Sequence, residues 1–140
     1  MLKNCGKLFL VNEMKIEHTA IYTTDLEREC TFFEKYFGAA RGEKYHNPKT
    51  GLQTYFLTFD GGARLEVMTR AECVNQPRER FAAGFANIAI SVGSKEKVVQ
   101  LTELLKRDGF QIASPPRTTG DGYFESVVLD FDGNFVEITV

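Results

Sequence analysis

Two stretches of this chain match each other in order and spacing, and an internal repeat of that kind restricts the fold to two similar halves. Residues 16–23 read Ile-Glu-His-Thr-Ala-Ile-Tyr-Thr, and residues 85–92 read Phe-Ala-Asn-Ile-Ala-Ile-Ser-Val. Each opens a strand-like run, followed by a helical stretch, a glycine, further strands and a closing glutamate. Gly38 precedes Glu66 by 28 residues, and Gly109 precedes Glu137 by 28 residues. His18 is the polar residue near the start of the first apolar run, and Asn87 holds the matching place in the second. Two halves that each place a polar group near the start and a carboxylate at the end can surround one shared site.

Periodicity fills in the halves. Alternation over 15–23 puts Ile16, His18, Ala20 and Tyr22 on one strand face, since successive side chains of a strand point to opposite sides. Asp25 is placed to cap a helix running to about Phe37, with Leu26, Cys30, Phe33 and Phe37 on one stripe and Gly38 as the stop. Strands are expected near 40–45, at 53–59 and at 63–69, the last two joined through Asp60-Gly61-Gly62, a hairpin signal. The second half repeats the order: a strand at 85–92, a helix capped by Ser94 carrying Val98, Leu101 and Leu105, a stop at Gly109, and strands at 110–113, 123–129 and 134–140. Residues 70–84, with Pro77 and several charges, read as the linker. The prediction is an α+β fold of two βαβββ modules, 14–69 and 85–140, with curled sheets packed side by side. Residues 1–13 read as a loosely attached extension ahead of Met14.

At 140 residues the chain can bury one hydrophobic core and is too short for two independent domains. The formal charge is −2 with acids and bases interspersed, so there is no basic block to attract a phosphate backbone, and nucleic acid is not expected as a partner. No apolar run approaches the ~20 residues of a bilayer span, and no membrane partner is expected. Twelve Phe and no Trp suggest a Phe-rich core with rings left over for a pocket. Cys5, Cys30 and Cys73 are odd in number and widely spaced, which argues against a disulfide framework and fits a reducing cytoplasm.

A polar residue on each first strand and a glutamate on each last strand, within this element order, resembles the glyoxalase/bleomycin-resistance family of the vicinal oxygen chelate superfamily. The resemblance covers residues 14–140. The segment from Arg117 through Glu125, followed by Asp130-Phe-Asp-Gly-Asn-Phe-Val-Glu137, looks like small bacterial lactoylglutathione lyase-like members. The resemblance implies two modules forming a partly closed, curled mixed sheet around a divalent metal, and a homodimer. The family's lyase pattern is His, Glu, His, Glu; here the matching positions hold His18, Glu66, Asn87 and Glu137. An amide oxygen is a poorer donor than imidazole for zinc or nickel. The set therefore leans toward Mn or Mg, with Ni or Zn still open.

A carboxylate facing a sheet-enclosed cavity is costly unless it is paired or bound to a cation. If Glu66 and Glu137 face one cavity, a metal or a retained proton must relieve their repulsion. On this reading His18, Glu66, Asn87 and Glu137 are the metal ligands, and Glu137 or Glu66 is the catalytic carboxylate moving a proton next to a carbonyl. Arg117 is placed in a loop at the mouth of the second half, suited to a substrate carboxylate, and Tyr123 and Phe56 are candidate pocket walls. Bland readings stand beside these. His18 can be a hydrogen-bonded structural histidine, Glu66 a surface partner of Arg64, Glu137 a surface charge near the C-terminus, and Asn87 a backbone hydrogen-bonder. Arg117 can be an exposed loop residue and the two rings core, while His46 beside the 47–51 turn is expected to face water. The resulting function is a metal-dependent glyoxalase-type lyase or isomerase acting on a small carbonyl compound or its thiol adduct. The alternative is a metal-free, drug-sequestering binding protein of the bleomycin-resistance kind. A thiol transferase or ring-cleaving dioxygenase ranks below both, because such relatives draw on a second histidine that this pattern lacks.

Overall fold

The computed structural model describes residues 14–140; the expected extension, with Cys5, lies outside the described residues. The first half comprises β1 (His18–Tyr22), α1 (Leu26–Phe37), β2 (Ala40–Arg41), β3 (Tyr45–His46), β4 (Gln53–Thr58) and β5 (Arg64–Thr69). The second comprises β6 (Ile88–Ser91), α2 (Lys95–Arg107), β7 (Ile112–Thr118), β8 (Phe124–Leu129) and β9 (Phe135–Thr139). Residues 70–84 between them hold no helix or strand.

Both helices begin where their capping residues put them. The Asp25 carboxylate accepts the Arg28 amide at 3.0 Å, and the Ser94 hydroxyl accepts the Lys97 amide at 3.2 Å, each satisfying a donor that the first helical turn leaves free. Gly38 closes α1 at φ +66°, a backbone conformation that costs other residues a steric penalty.

Each module forms its own mixed sheet, in the order β1-β5-β4-β2 with β3 also on β4, and β6-β9-β8-β7. The first strand runs parallel to the last in both, β1 on β5 and β6 on β9. The expected pair of mixed sheets is present; among the described residues strands pair only within their own module, and the sheets are not closed. Two strand expectations change in detail. The single strand near 40–45 is two short pieces, interrupted at Gly42, whose amide donates to the Phe56 carbonyl at 2.9 Å. The strand expected at 110–113 runs on to Thr118 through Pro115 and Pro116. Prolines lack the ladder donor, and β7 tolerates them because it lies at the sheet edge.

The core lies between the helices and the inner sheet faces, with Leu57, Leu65, Val67, Val98, Leu105, Val128, Val136 and Ile138 fully buried or nearly so. The α1 stripe is wider than its periodicity suggests: Phe32 and Glu29 are buried as well as Leu26, Cys30 and Phe33. The reason is tertiary. The second module covers that flank, with the Phe32 ring 5.0 Å from that of Phe110 and 6.0 Å from that of Phe131. Tyr36 donates to Asp108 at 2.6 Å, and Thr23 and Thr24 donate to Asp132 at 2.5 and 2.6 Å. Asp130 organises the turn before β9 by accepting from the Asn134 amide and side chain at 2.7 and 2.6 Å.

Glu29 stands among these groups without a donor to either carboxyl oxygen. Burial first, and then the charges of Asp130 and Asp132, hold its carboxyl well above the usual carboxylate range. It is accordingly the neutral acid at pH 7, free to donate its proton to Asp130. Burial also pushes the Cys30 thiol up to about 12, which makes it unreactive.

Candidate functional site

Strand alternation decides which side chains leave the core. Because Leu65 and Val67 of β5 are buried against the helices, Arg64, Glu66 and Met68 must occupy the opposite face. In register, Ala20 lies opposite Glu66, and Ala89 lies opposite Glu137. His18 precedes Ala20 by two residues and Asn87 precedes Ala89 by two, so the sequence repeat is also a repeat of geometry. An alanine opposite each glutamate leaves space above it, and the polar residue two positions earlier borders that space.

In the first half, His18 Nε2 and Glu66 Oε2 are 3.7 Å apart, and Glu66 Oε1 accepts from the Thr54 hydroxyl at 3.1 Å. His18 Nδ1 meets the Glu17 carboxylate. Arg64 pairs with that same carboxylate, through Nε at 2.7 Å and Nη2 at 2.6 Å. Phe56 stands edge-on to the His18 ring at 5.4 Å and beneath the Arg64 guanidinium at 4.0 Å. The hydrogen bond from His18 and the pairing with Arg64 hold the Glu17 carboxyl below its ordinary value.

In the second half, the Asn87 amide nitrogen donates to Glu137 Oε2 at 3.1 Å. Burial raises the Glu137 pKa, and the neighbouring Glu125 carboxylate raises it further against the opposing Asn87 bond. Arg117 lies in β7 opposite Glu125, not in a loop. Its Nη2 is 3.7 Å from Glu125 Oε1, and its Nε donates to the Ser114 hydroxyl at 3.3 Å. Tyr123 stands exposed just before β8, beyond the Thr119–Gly122 turn. His46, expected in the turn, is paired with Gln53 at the end of β3 and is exposed.

The structure therefore brings His18 to Glu66 and Asn87 to Glu137, two half-sites in two sheets. Among the described residues, no three or more His, Cys, Asp or Glu side chains gather closely enough to hold a metal ion. The donor chemistry of each half suits a divalent cation, with an imidazole nitrogen beside a carboxylate in one and an amide beside a carboxylate in the other. Neither half is a complete ligand set.

Sequence reasoning passed over Glu17, Arg64 as its partner, and Glu125. Alternation assigns Glu17 to the opposite face from His18, which hid the contact. Glu17 precedes the first residue of β1, which is an edge strand, so its side chain is free to fold back. Glu125 had a usable signal: it shares a face with Val127 of β8, and Val127 pairs directly with Glu137.

Residues 15–138 match the family model of the Glyoxalase/Bleomycin resistance protein/Dioxygenase superfamily. The chain belongs to this superfamily. Solved structures agree in fold. A glyoxalase family protein from Enterococcus faecalis superposes with a TM-score of 0.73 at 22% identity, covering 90% of this chain and 97% of that one. The trypanothione-dependent glyoxalase I of Leishmania major gives a TM-score of 0.72 at 21% identity, covering 90% and 86%. Glyoxalase I from Zea mays gives 0.73 at 22% identity over 89% of this chain and 44% of that one, so the chain spans less than half of the maize protein. Among curated proteins, none matches the chain. At these identities the likeness establishes the fold, and the activity has to be argued from the site.

Proposed function

We propose that this superfamily member is a divalent-metal-dependent lyase or isomerase of glyoxalase type, acting on a small carbonyl compound or its thiol adduct. Its site is completed by a second copy of the chain. The observation that carries this is the matched register of the two halves, each presenting a polar residue and a glutamate over an alanine while neither forms a full ligand set. Apposition of His18 and Glu66 from one chain with Asn87 and Glu137 from another would supply four donors, and a two-fold dimer forms two such sites. When bound, the metal would polarise a carbonyl oxygen and stabilise negative charge developing there.

The chain's own groups account for the rest. Glu137, with its proton affinity raised by burial and by Glu125, is suited to take a proton from carbon beside a carbonyl and return it. Glu66 is oriented by Thr54. Phe56 supplies an apolar wall beside His18. The Arg117 guanidinium, half exposed and only loosely paired with Glu125, can turn to a substrate carboxylate. One observation favours the metal-free binding reading: the Asn87 amide is engaged as a donor to Glu137 and presents no oxygen there.

Metal content by mass spectrometry after loading with Ni, Zn, Mn or Co separates the two readings. About one metal per chain is expected, as two equivalent sites per two-fold dimer require. Glu137→Gln should abolish it. Mixing His18→Ala chains with Glu137→Gln chains then tests where the site lies. Random pairing should restore about a quarter of the sites if each is built across two chains, and none if each lies within one. A protein that stays metal-free under every loading would overturn the metal-dependent reading and leave the binding one.

A further inference from the structure

We propose that Glu17 is a positioning residue for His18: clamped by Arg64, it holds the Nδ1 proton and leaves the Nε2 lone pair directed at the Glu66 side of the site. The inference rests on reading His18 as a ligand, and it adds a residue that the four-position pattern does not contain.

Competition between the two ring nitrogens carries the argument. Nδ1 meets the Glu17 carboxylate within hydrogen-bonding distance. Nε2 is 3.7 Å from Glu66 Oε2, beyond the ~3.2 Å range of an ordinary N–H···O bond. A neutral imidazole carries one proton, and among the described residues the close acceptor is the Glu17 carboxylate at Nδ1. The proton therefore stays on Nδ1, and Nε2 is left as a free base.

The acceptor is itself immobilised. Arg64 grips Glu17 through two nitrogens and lies in register opposite His18 across the β1/β5 ladder. The backbone reinforces this, since the Arg64 amide donates to the Glu17 carbonyl at 2.9 Å. Phe56 lies against both side chains, 4.0 Å beneath the Arg64 guanidinium and with the His18 ring nearly perpendicular to it at 88°. Arg64, Glu17, Phe56 and Glu66 together restrict the imidazole to one orientation. A carboxylate on the far nitrogen of a ligating histidine fixes the tautomer and raises the basicity of the ligating nitrogen. The second half has no counterpart, because Asn87 has no ring and no tautomer to fix.

The test uses the full chain labelled with 15N and carrying His46→Gln, which leaves His18 as the one histidine. Long-range proton–nitrogen spectra, recorded where the imidazole is neutral, should show the proton on Nδ1. With Glu17→Ala added, the proton should move to Nε2, the form free histidine favours. In parallel, the nickel dissociation constant should weaken about 10- to 100-fold in Glu17→Ala, as for other outer carboxylates of ligating histidines. Glu17→Gln, which keeps an acceptor oxygen, should recover part of the loss. A wild-type proton on Nε2, or a tautomer and nickel affinity indifferent to Glu17→Ala, overturns the proposal. If wild-type protein takes up no nickel, the metal reading fails, and the tautomer measurement alone then decides the role of Glu17.

Discussion

The two modules share a strand order and a ladder register but differ in what surrounds the half-site. In the first, His18 is held by a charged pair, Glu17 and Arg64, with Phe56 against the His18 ring and the Arg64 guanidinium. In the second, Asn87 faces Glu137 in a setting weighted toward carboxylates, where Glu125 raises the proton affinity of its neighbour. Under the proposed function, the first half would present a fixed nitrogen base and the second would hold or move a proton. A repeated fold thus supplies two matched positions, while side chains outside the repeat divide the chemistry between them. The helices differ in the same way. α2 packs on β7, β8 and β9 of its own module. α1 carries Glu29, Phe32 and Tyr36 into contact with the other module.

That contrast can be broken most forcefully at α1. Phe32→Ala removes the ring packed against Phe110 and Phe131, and should cost about 3–5 kcal/mol in denaturant unfolding, as for other buried aromatic truncations. A loss below about 1 kcal/mol would mean that α1 does not hold the modules together.

Glu29→Gln should act in the opposite direction. Burial raises the folded-state pKa of Glu29 from the ordinary 4.5 to about 9, so the folded chain binds this proton more tightly than the unfolded chain does. Its stability is fully present below pH 4.5 and is lost as pH rises toward the raised value. The Gln amide donates without needing a retained proton. The variant should match wild type near pH 4 and exceed it by up to about 3 kcal/mol at pH 7, taking ~1.4 kcal/mol per pH unit. Stability curves that run parallel across this range would exclude a neutral, buried Glu29.

The smallest expected effect sharpens the comparison by making the halves alike. Asn87→His supplies the second imidazole and should tighten nickel or zinc binding by at least about tenfold, or ~1.4 kcal/mol, in a calorimetric titration. Unchanged affinity would place residue 87 outside the ligand set.

Much of the architecture was legible in the chain because its causes are local. Asp25 and Ser94 cap helices wherever their side chains reach a free amide, and alternation sorts Leu65 and Val67 from Glu66 whatever the partner sheet. The equal spacing from glycine to glutamate gave the matched positions directly. Other features escaped because their causes lie far away in sequence. Phe32 falls outside a one-sided apolar stripe until Phe110 and Phe131 cover it. Arg117 looked like a loop residue because the prolines before it disguise an edge strand. Glu17 looked like the outward neighbour of His18 until Arg64, brought alongside by the parallel β1/β5 pairing, gave its carboxylate a reason to fold inward.

The sequence by itself determined the repeat and the matched places of His18, Glu66, Asn87 and Glu137 within it, since spacing and alternation follow from backbone geometry. Tertiary structure alone decided that these four fall into two separate pairs, and which charges surround each pair. Sheet packing sets those distances, and Coulomb and hydrogen-bond energies depend on distance in space rather than separation along the chain.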